Sequence, residues 1–429
     1  MRHGLRLWLW LLLAAILPAR AGQDAQPLPE PLSLADALRL ARPTVPTLLQ
    51  AEAGRDAVLA EERRAEAIDG LRLTAIGRLR AIQPSWKSAN RDANDSSAHL
   101  LLEKRLYDGG LAAAKRAAAG AAREAAGLEA LEARQQQRLA IMRAFFDVLL
   151  ADLTNARDTE AMSVAFVRLD RARDRHELGQ LSDVALLELD AAYQAVRRRQ
   201  VASATRQRLA RARLALAMGR PGELASDLVT PEIRIPEQQE GDFDAFWQAV
   251  EAGHPRLRAL KARLRAARER LAAARRSAGP VLSAELEAAA YNRTTGSTHP
   301  LGGGLRLSVP LLDGGERDTA VAQAQAQLTR LQAEWQAAWQ ALRQEALEAW
   351  LRRDTLRADW QGLQVEGDYR ELYLDRSRAL YDLEVKTDLG DAMTRISEVR
   401  LASARVLFDW ALNEARIEAM TGRLLEEEP

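Results

Sequence analysis

The 429-residue chain contains no cysteine, so neither a disulfide nor an acylated N-terminal cysteine is available to it. Aromatic residues make up only 5% although hydrophobic residues reach 47%, and much of the difference is alanine. Such a composition packs closely spaced helices more readily than a bulky core. Neither sign of charge dominates: 61 Lys and Arg against 60 Asp and Glu leave +1, which offers no electrostatic case for nucleic acid. The five histidines are scattered with no H-E-x-x-H or similar ligand spacing, and there is no Walker loop or serine elbow. The expectation is a protein that is not an enzyme and holds neither metal nor cofactor.

Long hydrophobic runs are missing too, with one short exception. MRHGLRLWLWLLLAAILPARA sets Arg2, His3 and Arg6 before an apolar run and ends in Ala19-x-Ala21, the pattern of a secretory signal peptide over residues 1–21. The run falls short of the roughly 20 residues that a spanning helix needs. The mature chain is therefore expected to be exported, and to enter a membrane only by strands or by association.

What the sequence does contain is a duplication. Residues 98–110 read AHLLLEKRLYDGG and residues 303–315 read GGLRLSVPLLDGG. In each, a strand-like alternation ends in Asp-Gly-Gly: Asp108, Gly109 and Gly110, then Asp313, Gly314 and Gly315. Leu100, Leu102 and Leu106 share one face and match Leu305, Leu307 and Leu311. After each turn comes a proline-free, alanine-rich stretch, to about Glu177 and about Asp382. As helices, each would be a rod of roughly 100 Å at about 1.5 Å per residue.

The remaining segments repeat in the same order. A helix over 34–67, interrupted near Pro43 and Pro46, is matched by one over 243–277 that breaks at His254-Pro255. Residues 71–82 alternate Leu71, Leu73, Ala75, Gly77 and Leu79 against Arg72, Thr74, Ile76, Arg78 and Arg80, which fits a strand with one wet face. Residues 281–291 and 305–311 supply the strands of the second half. Polar turn-rich segments join each pair, and Gly302-Gly303-Gly304 reads as part of the second loop. The rods turn back near Gly179–Asp183, where Ser182 or Asp183 can cap the next helix, and near Thr387–Gly390. Closing helices end near Met218 and Met420.

The domain plan is a signal peptide (1–21), an extended proline-bearing leader (22–33), a first structural repeat (34–218), a linker (219–242) with three prolines and three glycines, a second repeat (243–422) and an acidic tail (423–429). Four strands of about 9–11 residues have the length of tilted membrane strands but cannot close a barrel, and open edges do not survive in hydrocarbon. Several chains would have to share one barrel. The rival is a small β-patch on a helical protein. Polar loops at one end of both strand pairs and helix entries at the other favour the membrane, with every helix on one side of it.

The doubled Asp-Gly-Gly turn between strand and rod, with returns at G-Q-L-S-D-V and T-D-L-G-D-A, resembles the TolC family of outer-membrane efflux proteins over residues 34–422. The resemblance implies an α+β fold in which long helices form a tunnel and four strands per chain join a shared twelve-stranded barrel as a homotrimer. It implies the outer membrane of a Gram-negative bacterium as location, with a periplasmic adaptor and an inner-membrane pump as partners in efflux or type I secretion. It also implies a periplasmic gate of inward acidic side chains, here Asp388 and Asp391, with Asp183 from the first half. Three converging copies would repel one another and attract cations; Thr387, Asp388 and Asp391 also suit a helix N-terminus. Tyr381 and Arg395 are candidates for a lock at the gate. Trp86, Tyr107 and Tyr291 lie near strand ends, as either an aromatic belt or ordinary packing would place them. The alternative function is a periplasmic coiled-coil adaptor without a pore.

Overall fold

The computed structural model describes residues 27–238, 241–294, 298–383 and 389–425. The signal-peptide segment lies outside the described residues, as do Thr387 and Asp388. Two short helices, α1 (Leu34–Arg39) and α2 (Pro46–Glu66), lead into strands β1 (Arg72–Arg78) and β2 (Ser97–Tyr107). The rod α3 (Leu111–Glu177) follows and returns as α4 (Asp183–Ala217). The order then recurs: α5 (Phe243–Gly253), α6 (Pro255–Arg276), β3 (Val281–Tyr291), β4 (Leu301–Ser308), α7 (Glu316–Asp382) and α8 (Leu389–Thr421). Both rods are 67 residues long.

The strands form one antiparallel sheet in the order β1-β2-β3-β4, so β1 and β4 are edges. β1 is shorter than the alternation of residues 71–82 suggested. β4 also differs from expectation. It begins at Leu301 and ends at Ser308, so Gly302, Gly303 and Gly304 are strand residues rather than loop, and Leu311 lies beyond the ladder. The three glycines pair with Glu287, Leu286 and Glu285, and the Leu286 side chain covers the space over Gly303 that a Cβ would take. Alternation cannot be read from residues without side chains, which is why the strand start was missed.

Alanine lets the rods pack closely. Ala112, Ala114, Ala118, Ala125, Ala126 and Ala130 of α3 are all buried, and α3 packs along α2, α4, α6 and α8. Bulky side chains collect at two places far from the sheet. In the first, Phe145 and Phe146 of α3 meet Leu214 and Met218 of α4, with Phe408 of α8 stacked on Phe146 at 4.7 Å. In the second, Trp247 and Val250 of α5 meet Leu257 of α6, Ala346 of α7 and Met420 of α8. These clusters hold the short helices against the rods by burying aromatic and aliphatic area.

Candidate functional site

The two faces of the sheet differ in chemistry. Following the register, Leu73 is opposite Leu102, which is opposite Leu286, which is opposite Gly303; Ala75, Leu100, Ala288 and Leu301 form the next row. Leu282 and Leu307 extend this apolar face. Its leucines are uncovered, Leu73 and Leu307 each being 65% exposed. The opposite face carries Arg72, Glu103 and Glu285 in one row and Thr74, Leu101 and Glu287 in the next. There Arg306 pairs with Glu285 at 2.8 Å, and His99 lies 2.5 Å from Glu287 and 2.9 Å from Ser97. A sheet with one greasy exposed face and one ion-paired face is the pattern of a barrel wall between lipid and water.

Two tyrosines separate on this sheet. Tyr291 stands on the polar face with its ring edge-on to His99 at 5.4 Å, so it does not belong to an outer aromatic belt. Tyr107 follows a register shift after Arg105 and pairs with Leu282 on the apolar side. Trp86 is exposed in the loop between β1 and β2, beyond the ladder. That loop is tied to its counterpart by Arg293, which donates to Ser88 Oγ at 2.6 Å and to the Asn90 carbonyl at 2.7 Å.

At the other end of the sheet stand the two Asp-Gly-Gly turns. Gly109 and Gly110 have φ of 66° and 82°, Gly314 and Gly315 of 63° and 87°. Leu111 N–H returns to the Asp108 carbonyl and Glu316 N–H to that of Asp313, each at 3.2 Å. Two successive positive φ angles with this bond define a type I′ turn, which glycine adopts without steric cost. The aspartates act as caps. Asp108 accepts from the N–H groups of Gly110 (3.0 Å) and Ala112 (2.8 Å), and Asp313 from those of Gly315 (3.0 Å) and Arg317 (3.2 Å). The two backbone bonds hold the Asp313 carboxyl below its ordinary range. Each rod thus starts with three of its four orphan donors satisfied, shortly after a strand ends.

The rod α3 ends near the far tip, where Gly179 N–H donates to His176 O and Gln180 N–H to Arg175 O, both at 2.8 Å. Ser182 caps α4 by accepting from Ala185 N–H at 3.3 Å. Asp183 Oδ1 is 2.6 Å from His176 Nε2 while its side chain stays 87% exposed. Asp391 is paired with Arg168 of α3 at 2.5 Å. Neighbouring Gly390 lies so close to α3 that a Cβ would meet Val164 Cγ1 at 2.7 Å. Arg395 pairs with Glu398 of its own helix, and no bond joins it to Tyr381. A lock between those two is therefore not formed among the described residues. Arg168 is not legible in the sequence because nothing local brings residue 168 to residue 391.

Among the described residues no group of His, Cys, Asp or Glu could hold a metal ion, and no helix is long and apolar enough to cross a membrane. A sequence model described as outer membrane efflux protein matches residues 247–423. That segment is similar to the outer membrane efflux protein family. Its members are channels rather than enzymes.

Solved structures extend the likeness to nearly the whole chain. The CmeC outer membrane channel of Campylobacter jejuni superposes with a TM-score of 0.77 at 14% identity, covering 92% of this chain and 87% of that one. The outer membrane protein VceC of Vibrio cholerae gives 0.70 at 17%, covering 91% and 96%. The open-state MtrE outer membrane channel of Neisseria gonorrhoeae gives 0.70 at 16%, covering 91% and 89%. No curated protein matches the sequence. The chain therefore has the channel fold, long helices with strands of a barrel wall, which the sequence resemblance had implied.

Proposed function

We propose that three copies of this chain form a passive export duct through the outer membrane of a Gram-negative bacterium, with their strands closing a twelve-stranded barrel and their helices continuing it as a tunnel across the periplasm. The observation that carries this is the two-faced sheet with both edges unpaired. An open edge in hydrocarbon costs several kcal/mol for each unpaired backbone group, so β4 of one copy must pair with β1 of the next. Residues 1–21 serve as the export signal, and the two repeats joined at 219–242 give each copy two helical hairpins of equal reach. A periplasmic adaptor and an inner-membrane pump supply substrate and energy. Efflux is the reading closer to the family description than type I secretion. An adaptor without a pore has no use for an exposed leucine face on a sheet placed between helices.

In this duct the periplasmic entrance is gated by Asp388 and Asp391, with Asp183 beside them, at hairpin tips shaped by Gly179, Ser182, Thr387 and Gly390. Asp391 reaches its place through Arg168. Asp388→Asn with Asp391→Asn is expected to weaken cation block and shift ion selectivity in planar-bilayer recordings; unchanged block would remove the gate assignment.

The duct itself is tested by conductance of outer-membrane-extracted protein together with cysteines at Ala75 and Leu305, exposed on the same face of the two edge strands of a chain that has no cysteine of its own, joined by a flexible bifunctional thiol crosslinker. A conducting, trimer-sized crosslinked product is expected. A monomeric product without conductance would overturn the reading.

A further inference from the structure

A groove of about 680 Å³ lies where the sheet meets the helices, with α3 as its floor and α2 and α6 as its flanks. Arg72 and Arg105 line it, and both stand on the polar face of the sheet, the side turned away from the exposed leucines. The groove therefore opens to the interior of the duct, a placement that rests on the function proposed above. Its lining is drawn from α2 and the turn that follows it, from β1 and β2, and from α3 and α6.

Its charge is one-sided. Arg64, Arg72, Arg105, Lys115 and Arg270 line it against a single acid, Glu61, which is 3.6 Å from Arg64. Arg105 stands 3.9 Å from Asp108, and Glu103 is opposite Arg72 in the ladder. No ion pair or side-chain hydrogen bond forms at Arg72, Lys115 or Arg270 among the described residues. The walls between the cations are apolar: Val58, Ala65 and Ile68 from one flank, Ala118, Ala119 and Ala122 from the floor. Unpaired cations against low-dielectric walls attract an anion more strongly than they would in open water. The volume is that of pockets for drug-sized molecules, which join apolar walls to a few polar anchors.

We propose that this groove is a transit subsite for amphipathic organic anions, with Lys115 and Arg270 holding a sulfonate or carboxylate and the alanine-lined floor holding an apolar ring. The duct then favours anionic organic solutes at the junction of barrel and tunnel. The subsite is tested by isothermal titration calorimetry on the assembled protein in lipid nanodiscs, with empty nanodiscs as blank. The probes are naphthalene-1-sulfonate, neutral 1-naphthalenemethanol and inorganic phosphate. The sulfonate is expected to bind at least tenfold more tightly than either of the other two. Lys115→Gln with Arg270→Gln should weaken it at least tenfold, and Ala122→Leu, which fills the floor and keeps every charge, should weaken it as well. Equal binding of the neutral probe, equal binding of phosphate, or an unchanged double variant would overturn the proposal. Conductance of the same preparation separates the two readings: conductance without sulfonate binding removes the subsite, whereas binding without conductance removes the duct and leaves the groove.

Discussion

His254 begins α6 by accepting the Arg256 N–H on its Nδ1 at 3.1 Å, so the folded chain needs this imidazole neutral. Burial, helped by Arg256, pushes its pKa down to about 4 from 6.5. Below 6.5 the unfolded chain binds a proton that the folded one refuses, so His254 lowers stability as pH falls toward 4, by roughly 3 kcal/mol at most. His254→Asn keeps an acceptor for the cap. Its melting temperature is expected to fall less than that of the wild type between pH 7 and pH 5, and equal falls would remove the assignment. One residue earlier, a Cβ on Gly253 would lie 2.2 Å from the Thr421 carbonyl oxygen. Gly253→Ala must push α8 away from α5, at about 1–3 kcal/mol or more, seen as a lowered midpoint in thermal denaturation of the solubilised protein. Asp313 runs in the usual carboxylate direction: its pKa is lowered on folding, so its capping is present above about pH 4 and lost under acid. Of these three, the sequence pointed to Asp313, through its place in a repeated motif. Gly253 and His254 owe their roles to contacts across the fold, and a lone glycine beside a His-Pro break does not reveal a backbone approaching from residue 421.

The two helical hairpins use opposite charge arrangements for the same task. In the first, Asp152 of α3 receives both arms of Arg211 from α4, at 2.7 and 3.0 Å. In the second, the rod supplies the cation, Arg353 of α7, and α8 supplies Glu414. Both pairs are partly shielded and bidentate, the geometry in which an ion pair contributes more than an exposed one. Asp152→Ala is expected to cost about 1–3 kcal/mol, and the double variant Asp152→Ala with Arg211→Ala less than the sum of the two single changes, as a denaturation cycle would show. No sequence argument reached these pairs, since 59 and 61 residues separate the partners. The elements themselves were legible. Absence of proline and recurrence of alanine marked the rods, and the Gly-Gly turns marked where they start. What failed was the start of β4, because glycines carry no face.

For the whole molecule, the decisive contrast lies between neighbours on one strand. Leu100 is on the apolar face and Leu101 on the polar one. Leu100→Arg is expected to cost about 2–4 kcal/mol in the membrane near its midplane, whereas Leu101→Arg faces water. Quantifying folded oligomer in isolated outer membranes should show a strong loss for the first and near wild-type amounts for the second; equal amounts would mean that the leucine face does not meet lipid. The alternation behind this contrast was readable in residues 71–82. The interior groove was not, because its cations come from α2, α3, α6 and two strands that only the fold assembles. The unpaired margins of β1 and β4 also bear on how the barrel is made. In the duct proposed above, a sheet of four strands gains nothing from entering hydrocarbon alone, so insertion and association become one kinetic event. Its rate then rises with a power of local chain concentration greater than one, and a cell that halves synthesis of this protein loses more than half of its rate of barrel formation.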